Sequence, residues 1–247
     1  MIQNLYKSKA VTVVMASKVP YHVAIILDGN RRYARKLGLQ PWKGHEFGIK
    51  KLEELFEWCL ELGIGKLTLY SFSTENFSRN KEEIDFLFGL FKKKFEQIKD
   101  DEESAKKGVR FNVIGRIEMF PEDIKKMMME AVEKSKNNGK LIVNFALAYG
   151  GRQEITDAAK KIVKAAFEGK INPDDVDEEL VRDSLYLKDE PDIVIRPGGE
   201  KRISNFLLWQ SAYSEWFFIN KFWPEFEKQD LIDILKEFNV RERRFGR

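Results

Sequence analysis

Short, nearly unbroken apolar runs alternate along the chain with longer stretches in which apolar residues recur every three or four positions. The run YHVAIIL (21–27) has the pattern of a strand buried on both faces. Over 44–62, Leu52, Leu55, Phe56 and Cys59 recur at helical spacing, and Gly63 closes the segment. KLTLYSFS (66–73) predicts the next strand. Over 80–99, Ile84, Leu87, Phe88, Phe91 and Phe95 fall on one side of a helix. The strand VRFNVIG (109–115), a helix from Pro121 to Asn137, the strand KLIVNFALAY (140–149) and a helix over 151–167 follow. A charged loop and a short helix lead to the strand DIVIR (192–196). The apolar segment SEWFFIN (214–220) then precedes a last helix at 228–238. Repeated βα alternation predicts an α/β fold whose mainly parallel central sheet is covered by helices on both faces. No repeat, low-complexity tract or linker interrupts it. The expectation is one domain over 21–247, preceded by an N-terminal extension at 1–20.

The polar exceptions to this pattern fall at strand ends. DGNRR follows the first strand, STENFSR (73–79) the second, and RPGGEKRISNF (196–206) the DIVIR strand. Ligands of open parallel sheets bind outside the carboxyl ends of the strands. Three clusters far apart in sequence are therefore expected on one rim. Together they hold Asp28, Asn30, Arg31, Arg32, Ser73, Glu75, Asn76, Arg79, Arg196, Glu200, Arg202 and Ser204. Guanidinium groups bind phosphate oxygens through paired hydrogen bonds. Gly29 permits close backbone approach where a helix start offers free N–H groups to an anion, and Gly198-Gly199 has the same freedom. A carboxylate such as Asp28 faces a diphosphate usefully only across a hard cation, and Mg²⁺ usually takes one or two carboxylates plus substrate phosphates. Taken singly, each feature has a plainer reading. DGN and PGG are turns, an exposed arginine pair is solvated, and His45 at a helix start is a cap or a core contact. The phenylalanine-rich helix reads as core. Their arrangement at three strand ends points to an anion site.

Composition narrows the classes. Among 247 residues, 43 basic side chains stand against 40 acidic ones, for a net charge of +3. That balance argues against a dedicated nucleic-acid binder. A single cysteine, Cys59, cannot form an intramolecular disulfide and reads as a small core residue; it leaves the redox compartment unconstrained, with the cytoplasm as the default. No segment reaches the ~18 apolar residues of a membrane span. The first twenty residues are too interrupted by lysine and polar residues for a secretory signal, and abundant Lys and Glu with scarce Gln hint at heat adaptation. The chain is rich in Phe (19) and Trp (5). An apolar channel would hold a hydrocarbon tail strongly, at ~0.8 kcal/mol per buried CH₂.

The motifs HVAIILDGNRRYARKLG, GHEFG, TLYSFSTENFSR, NFALAYGGRQEI, DIVIRPGGEKRISNFLLWQSAYSEWFF and FWPEF resemble the cis-prenyltransferases of the undecaprenyl diphosphate synthase family, from about residue 21 to Arg247. The resemblance implies sequential condensation of isopentenyl diphosphate onto an allylic diphosphate primer, each step making a Z double bond. It also implies a Mg²⁺ requirement, a homodimer, and a hydrophobic tunnel for the prenyl chain. Carried over, Asp28 matches the metal-binding aspartate. Gly29, Asn30, Arg31 and Arg32 match the loop holding the allylic diphosphate, and His45 a histidine near the same phosphates. Ser73, Glu75, Asn76 and Arg79 match the second motif, with Asn76 a candidate proton acceptor beside the Asp28 region and phosphate. Arg196, Arg202 and Ser204 match the isopentenyl diphosphate site, and Glu215 a glutamate that joins the metal. Tyr33, Thr74, Phe77 and Ile203 fall within the same substrate-binding motifs. The C-terminal RERRFG resembles a segment reaching the neighbouring subunit's site. The product would be a membrane lipid, which leaves room for peripheral membrane contact by a cytoplasmic enzyme.

The chain departs from the bacterial pattern of the family. Arg31-Arg32-Tyr33 stands for Gly-Arg-Trp, Phe77 for Trp, and Pro197 for Thr. Pro41 stands for an arginine that touches the primer diphosphate, with Arg31, Arg35 or Lys43 available to compensate. These variants resemble the archaeal branch, whose primer is often geranylgeranyl rather than farnesyl diphosphate. Product length is expected to depend on side-chain size in NFALAYGG and the 84–95 helix. Three other readings compete. A silent accessory subunit of such a complex would lack motif residues that are present here. A phosphohydrolase using LDGN would want a second carboxylate where Asn30 stands. An RNA-binding module would want more basic charge.

Overall fold

The computed structural model describes residues 19–100 and 106–241. The extension expected at 1–20 and the RERRFGR tail lie almost wholly outside the described residues. Six strands form one sheet: β1 (His22–Ile26), β2 (Lys66–Ser73), β3 (Val109–Ile114), β4 (Leu141–Tyr149), β5 (Ile193–Arg196) and β6 (Glu215–Phe218). Their spatial order is β3-β4-β2-β1-β5-β6, and every pairing is parallel. Each crossover must therefore pass over a face, and the helical stretches of the sequence supply the passages. The helices are α1 (Asn30–Lys36), α2 (Gly44–Leu62), α3 (Lys81–Asp100), α4 (Glu122–Ser135), α5 (Gly151–Phe167), α6 (Glu178–Ser184) and α7 (Lys228–Val240).

The pleat divides the core in two. Val23, Ile25, Leu67, Leu69, Val143 and Phe145 point to one face, where α2, α3, α4 and α7 pack through residues such as Leu55, Leu87, Met128 and Leu231. Ala24, Ile26, Ala146, Tyr149 and Val194 point to the other, over Phe206 and Leu207. Burial on both faces is why β1 is apolar from Val23 onward. Cys59 is fully buried and free, as a core thiol, and burial pushes its pKa up. The expected single α/β domain is the one found. Chain progression runs from β1 towards β2, β4 and β3, then crosses back to β5 and β6, so the reversal falls between β1 and β5. The three strands that end in polar clusters, β2, β1 and β5, are immediate neighbours there. No helix among the described residues is long and apolar enough to cross a membrane.

Candidate active site

Gly29 turns the chain from β1 into α1 with φ 101°, and a Cβ there would lie 2.8 Å from the Phe222 side chain. Both facts require glycine. The FWPEF segment clamps this turn from outside: the Trp223 amide donates to the Asp28 carbonyl at 2.9 Å, and its indole Nε1 to the Gly48 carbonyl at 2.9 Å. Trp223 is completely buried. Asp28 is thereby held at the rim between two arginines. Arg32 Nη2 donates to Oδ1 at 3.1 Å, and Arg196 Nη2, from the last residue of β5, to Oδ2 at 2.9 Å. Arg196 is 3 % exposed, and its Nη1 donates to Ser204 Oγ at 2.7 Å and to the Arg202 carbonyl. Glu200 joins the group through Arg32 at 3.4 Å and Arg202 at 2.5 Å. The loop reaches these positions through left-handed backbone at Gly198, Gly199, Ser204 and Asn205. A Cβ at Gly198 would lie 2.7 Å from Arg32 Nη2.

Beside this bridge lies an open polar cradle lined by Asp28, Gly29, Asn30, Arg31, Arg32, Arg35, His45 and Arg79. One carboxylate balances its cations from beneath. Glu83 on α3 is 1 % exposed; it accepts from Arg79 Nη1 at 2.8 Å and lies 3.6 Å from Arg31 Nη2. Burial, with the Arg79 and Arg31 charges added, drives the His45 pKa down to about 3, so the imidazole is neutral. Its Nε2 stands 3.9 Å from Glu83, beyond hydrogen-bonding range, and is buried without a partner. Asn30 Oδ1, Arg31 Nε and Arg196 Nε are likewise buried and unpartnered. Buried polar groups are rarely left so. Their concentration around one rim, with the excess of guanidinium, is what an oxyanion ligand would satisfy.

The cradle shares Leu27, Asn30 and His45 with a second, narrow apolar pocket. This one runs under the sheet between α2 and α3, lined by Leu52, Leu87, Phe91, Phe95, Ile98, Phe145 and Leu147. The phenylalanine-rich helix thus serves both expected roles. Phe91 and Phe95 line the cavity, while Phe88 packs with Phe77 and Phe120 in an aromatic cluster around Phe72.

The structure brings most of the predicted residues together, but not all. Asn76 Oδ1 accepts from the Ser73 amide at 3.0 Å and caps the 3₁₀ turn Thr74–Ser78, so its amide oxygen is engaged. Glu75 accepts from Asn205 at 3.2 Å and ties the second cluster to the third. Burial opposes its ionisation, but hydrogen bonds from the backbone, Ser73, Asn205 and Thr74 lower its pKa overall. Tyr33 turns away from the cradle onto the Phe47 ring, 5.4 Å between centroids. Phe77 belongs to the aromatic cluster, and Ile203 is 42 % exposed on the loop. Glu215 does not join Asp28 within one chain. It opens β6 in register with Ile193, at the opposite end of the strands from Arg196, and its carboxylate accepts from Arg241 at 2.7 Å. Among the described residues no group of three metal-ligating side chains forms. The donor set is one hard carboxylate beside an anion cradle, which fits a Mg²⁺ whose other ligands are diphosphate oxygens and water. Of the three cations offered for the missing arginine at Pro41, Arg31 and Arg35 line the cradle and Lys43 does not. Glu83 was not anticipated as a site residue. Its position four residues after Arg79 was the available signal.

An anion cradle at the switch point of a parallel sheet, sharing residues with an apolar pocket between two helices, has the form of a site for an amphiphile with a phosphorylated head. The undecaprenyl diphosphate synthase family model of prenyltransferases matches residues 26–246. The chain therefore belongs to that family, the cis-prenyltransferases. It is 52 % identical over 248 residues to the tritrans,polycis-undecaprenyl-diphosphate synthase (geranylgeranyl-diphosphate specific) of Thermococcus kodakarensis, covering 100 % of this chain and 94 % of that protein. It is 52 % identical over 246 residues to the protein of the same name from Pyrococcus horikoshii, covering 99 % and 93 %. The crystal structure of lavandulyl diphosphate synthase from Lavandula x intermedia, in complex with dimethylallyl diphosphate, superimposes with a TM-score of 0.88 at 35 % identity, covering 93 % of this chain and 99 % of that one.

Proposed function

We propose that the protein is an autonomous Z-polyprenyl diphosphate synthase that extends geranylgeranyl diphosphate with isopentenyl diphosphate. The observation that carries this reading is the bridge Arg32–Asp28–Arg196, one carboxylate pinned between two arginine-bearing loops above an apolar cavity. The primer follows from the resemblance to the archaeal synthases, whose names specify geranylgeranyl diphosphate.

In this reading Arg31, Arg32, Arg35 and Arg79 hold the allylic diphosphate with the α1 start, while its prenyl tail enters between α2 and α3. Arg196, Arg202 and Ser204 hold the isopentenyl diphosphate alongside. Asp28 is the protein ligand of Mg²⁺, which when bound would neutralise charge on the diphosphates. The guanidinium groups stabilise the negative charge that builds as the allylic C–O bond breaks with its electron pair on the departing diphosphate. Fixed distances between the two cradles hold the isopentenyl double bond against the allylic carbon. The proton lost on forming the new double bond goes to a diphosphate oxygen, because the Asn76 oxygen is engaged by Ser73. Neutral His45 adds a ring nitrogen to the primer side.

A homodimer through the β6 edge is the assembly we favour. Among the described residues that edge strand has no partner on its outer side, Trp216 and Phe218 stack along one of its faces, and Tyr213 is 65 % exposed. The lipid product would be released at a membrane surface. Radiolabelled isopentenyl diphosphate, supplied with dimethylallyl, geranyl, farnesyl or geranylgeranyl diphosphate and with Mg²⁺ or EDTA, tests the reading. A Mg²⁺-dependent product ladder, strongest with geranylgeranyl diphosphate, is expected. No incorporation with any primer would sink it and favour an accessory subunit.

A further inference from the structure

Among the residues lining the apolar cavity, Lys94 is the one side chain of permanent charge. It occupies a core-facing position of α3, in the same three- and four-residue spacing as Leu87, Phe91 and Ile98. Its side chain is only 13 % exposed. A lysine so placed lays its methylene stem against the cavity and carries its ammonium outward. The ammonium ends at a carboxylate: Nζ lies 2.6 Å from Glu53 Oε1 on α2. Glu53 directly follows Leu52, which lines the facing wall. The pair thus spans the two helices that enclose the cavity, seven residues or roughly 10 Å along α3 from Leu87.

We propose that the Lys94–Glu53 pair gauges product length, by holding α2 and α3 together beside the growing chain and ending its extension at that depth. The proposal rests on the prenyl-transfer reading. Each isoprene unit buried above the pair gains contact with apolar walls, at ~0.8 kcal/mol per CH₂. A unit pushed past it must part the two helices or lie against the stem and charge of an ion pair, and gains less. Extension therefore stops where the walls cease to be uniformly apolar.

The test is product length in Glu53→Gln, Lys94→Met and the charge-swapped double variant Glu53→Lys with Lys94→Glu. Lys94→Met keeps the stem and removes the charge. Glu53 is 64 % exposed, so its substitution leaves the fold in place. Both single variants are expected to move the dominant product longer by at least one isoprene unit, and the swap to return it towards the unaltered length. A helix clip with no part in gauging would change melting temperature and total incorporation but not the terminal length. Unchanged or shorter products in both single variants, beside a normal ladder from the unaltered protein, overturn the proposal. Absence of any ladder from the unaltered protein would instead overturn the prenyl-transfer reading on which it stands.

Discussion

At the scale of single residues, Glu83 decides how the cradle waits for its ligand. It is the buried counter-charge for Arg79 and Arg31, and removing one partner of such a group leaves the others uncompensated. Glu83→Gln is expected to cost on the order of 3 kcal/mol in urea unfolding. Added pyrophosphate should recover more stability in that variant than in the unaltered protein, because it supplies the missing negative charge. Equal gains in both would mean that the arginines do not face the ligand. Asp28, Arg79 and Arg196 were legible in the sequence because charged residues stand out where an apolar run stops. Glu83 was not, since within KEEID only its spacing of four from Arg79 marks it out from the acids facing water. Glu215, carried over as a metal ligand, pairs in register with Ile193 at the start of β5, and sequence order alone does not say which end of the sheet a strand's first residue reaches.

At the scale of elements, the site depends on loops that only particular residues can form. Gly198 has φ +98°, and the atoms a Cβ would meet belong to the Asp28–Arg32 pair. Gly198→Ala should therefore lower kcat/KM by about 10²-fold, the scale of a 1 Å misplacement at a reacting centre. Thermal stability should fall modestly, by about 1–2 kcal/mol for the strained backbone. Steady-state kinetics with a melting curve would separate the two; undiminished kcat/KM would show that the bridge tolerates displacement. The elements themselves were legible, because a continuous apolar run and a 3.6-residue period are hard to confuse at these lengths. Strand order was not, beyond the expectation of parallel neighbours. That β5 lies against β1, and so brings Arg196 to Asp28, is fixed by a crossover of more than 150 residues that no local pattern encodes. The apolar pocket was expected from composition and resemblance, but which side chains of α2, α3 and β4 line it is set by the tertiary arrangement.

At the scale of the whole molecule, two buried histidines make stability depend on pH. Burial, then the Lys66 charge, lowers the His22 pKa to about 4, and burial lowers that of His45 to about 3, from 6.5 for each. The folded state holds both neutral, whereas the unfolded chain protonates them below about pH 6.5. Their contribution is therefore complete above pH 6.5 and is lost as pH falls towards 4 and then 3. For His22 the full difference is about 3 kcal/mol. Urea midpoints at pH 7 and pH 4.5 should show the decline, and His22→Asn should flatten it. A variant as steep as the parent would assign the slope to carboxylates instead.

The bridge at Asp28 has a last consequence, for the order in which ligands can assemble. With Arg32 on one oxygen and Arg196 on the other, the carboxylate is already neutralised by the protein itself. It is a placeholder for the phosphates and, while so employed, a poor host for a cation. Once diphosphates claim both guanidinium groups, the aspartate is released with its charge restored. Anion and cation should then recruit one another, by the same factor in either direction. Titration calorimetry should find Mg²⁺ binding feeble alone and much tighter with pyrophosphate present, and Asp28→Asn should abolish the difference. On the proposed reading, a resting site whose one aspartate is engaged by two of its own arginines admits anion and cation together more readily than either alone.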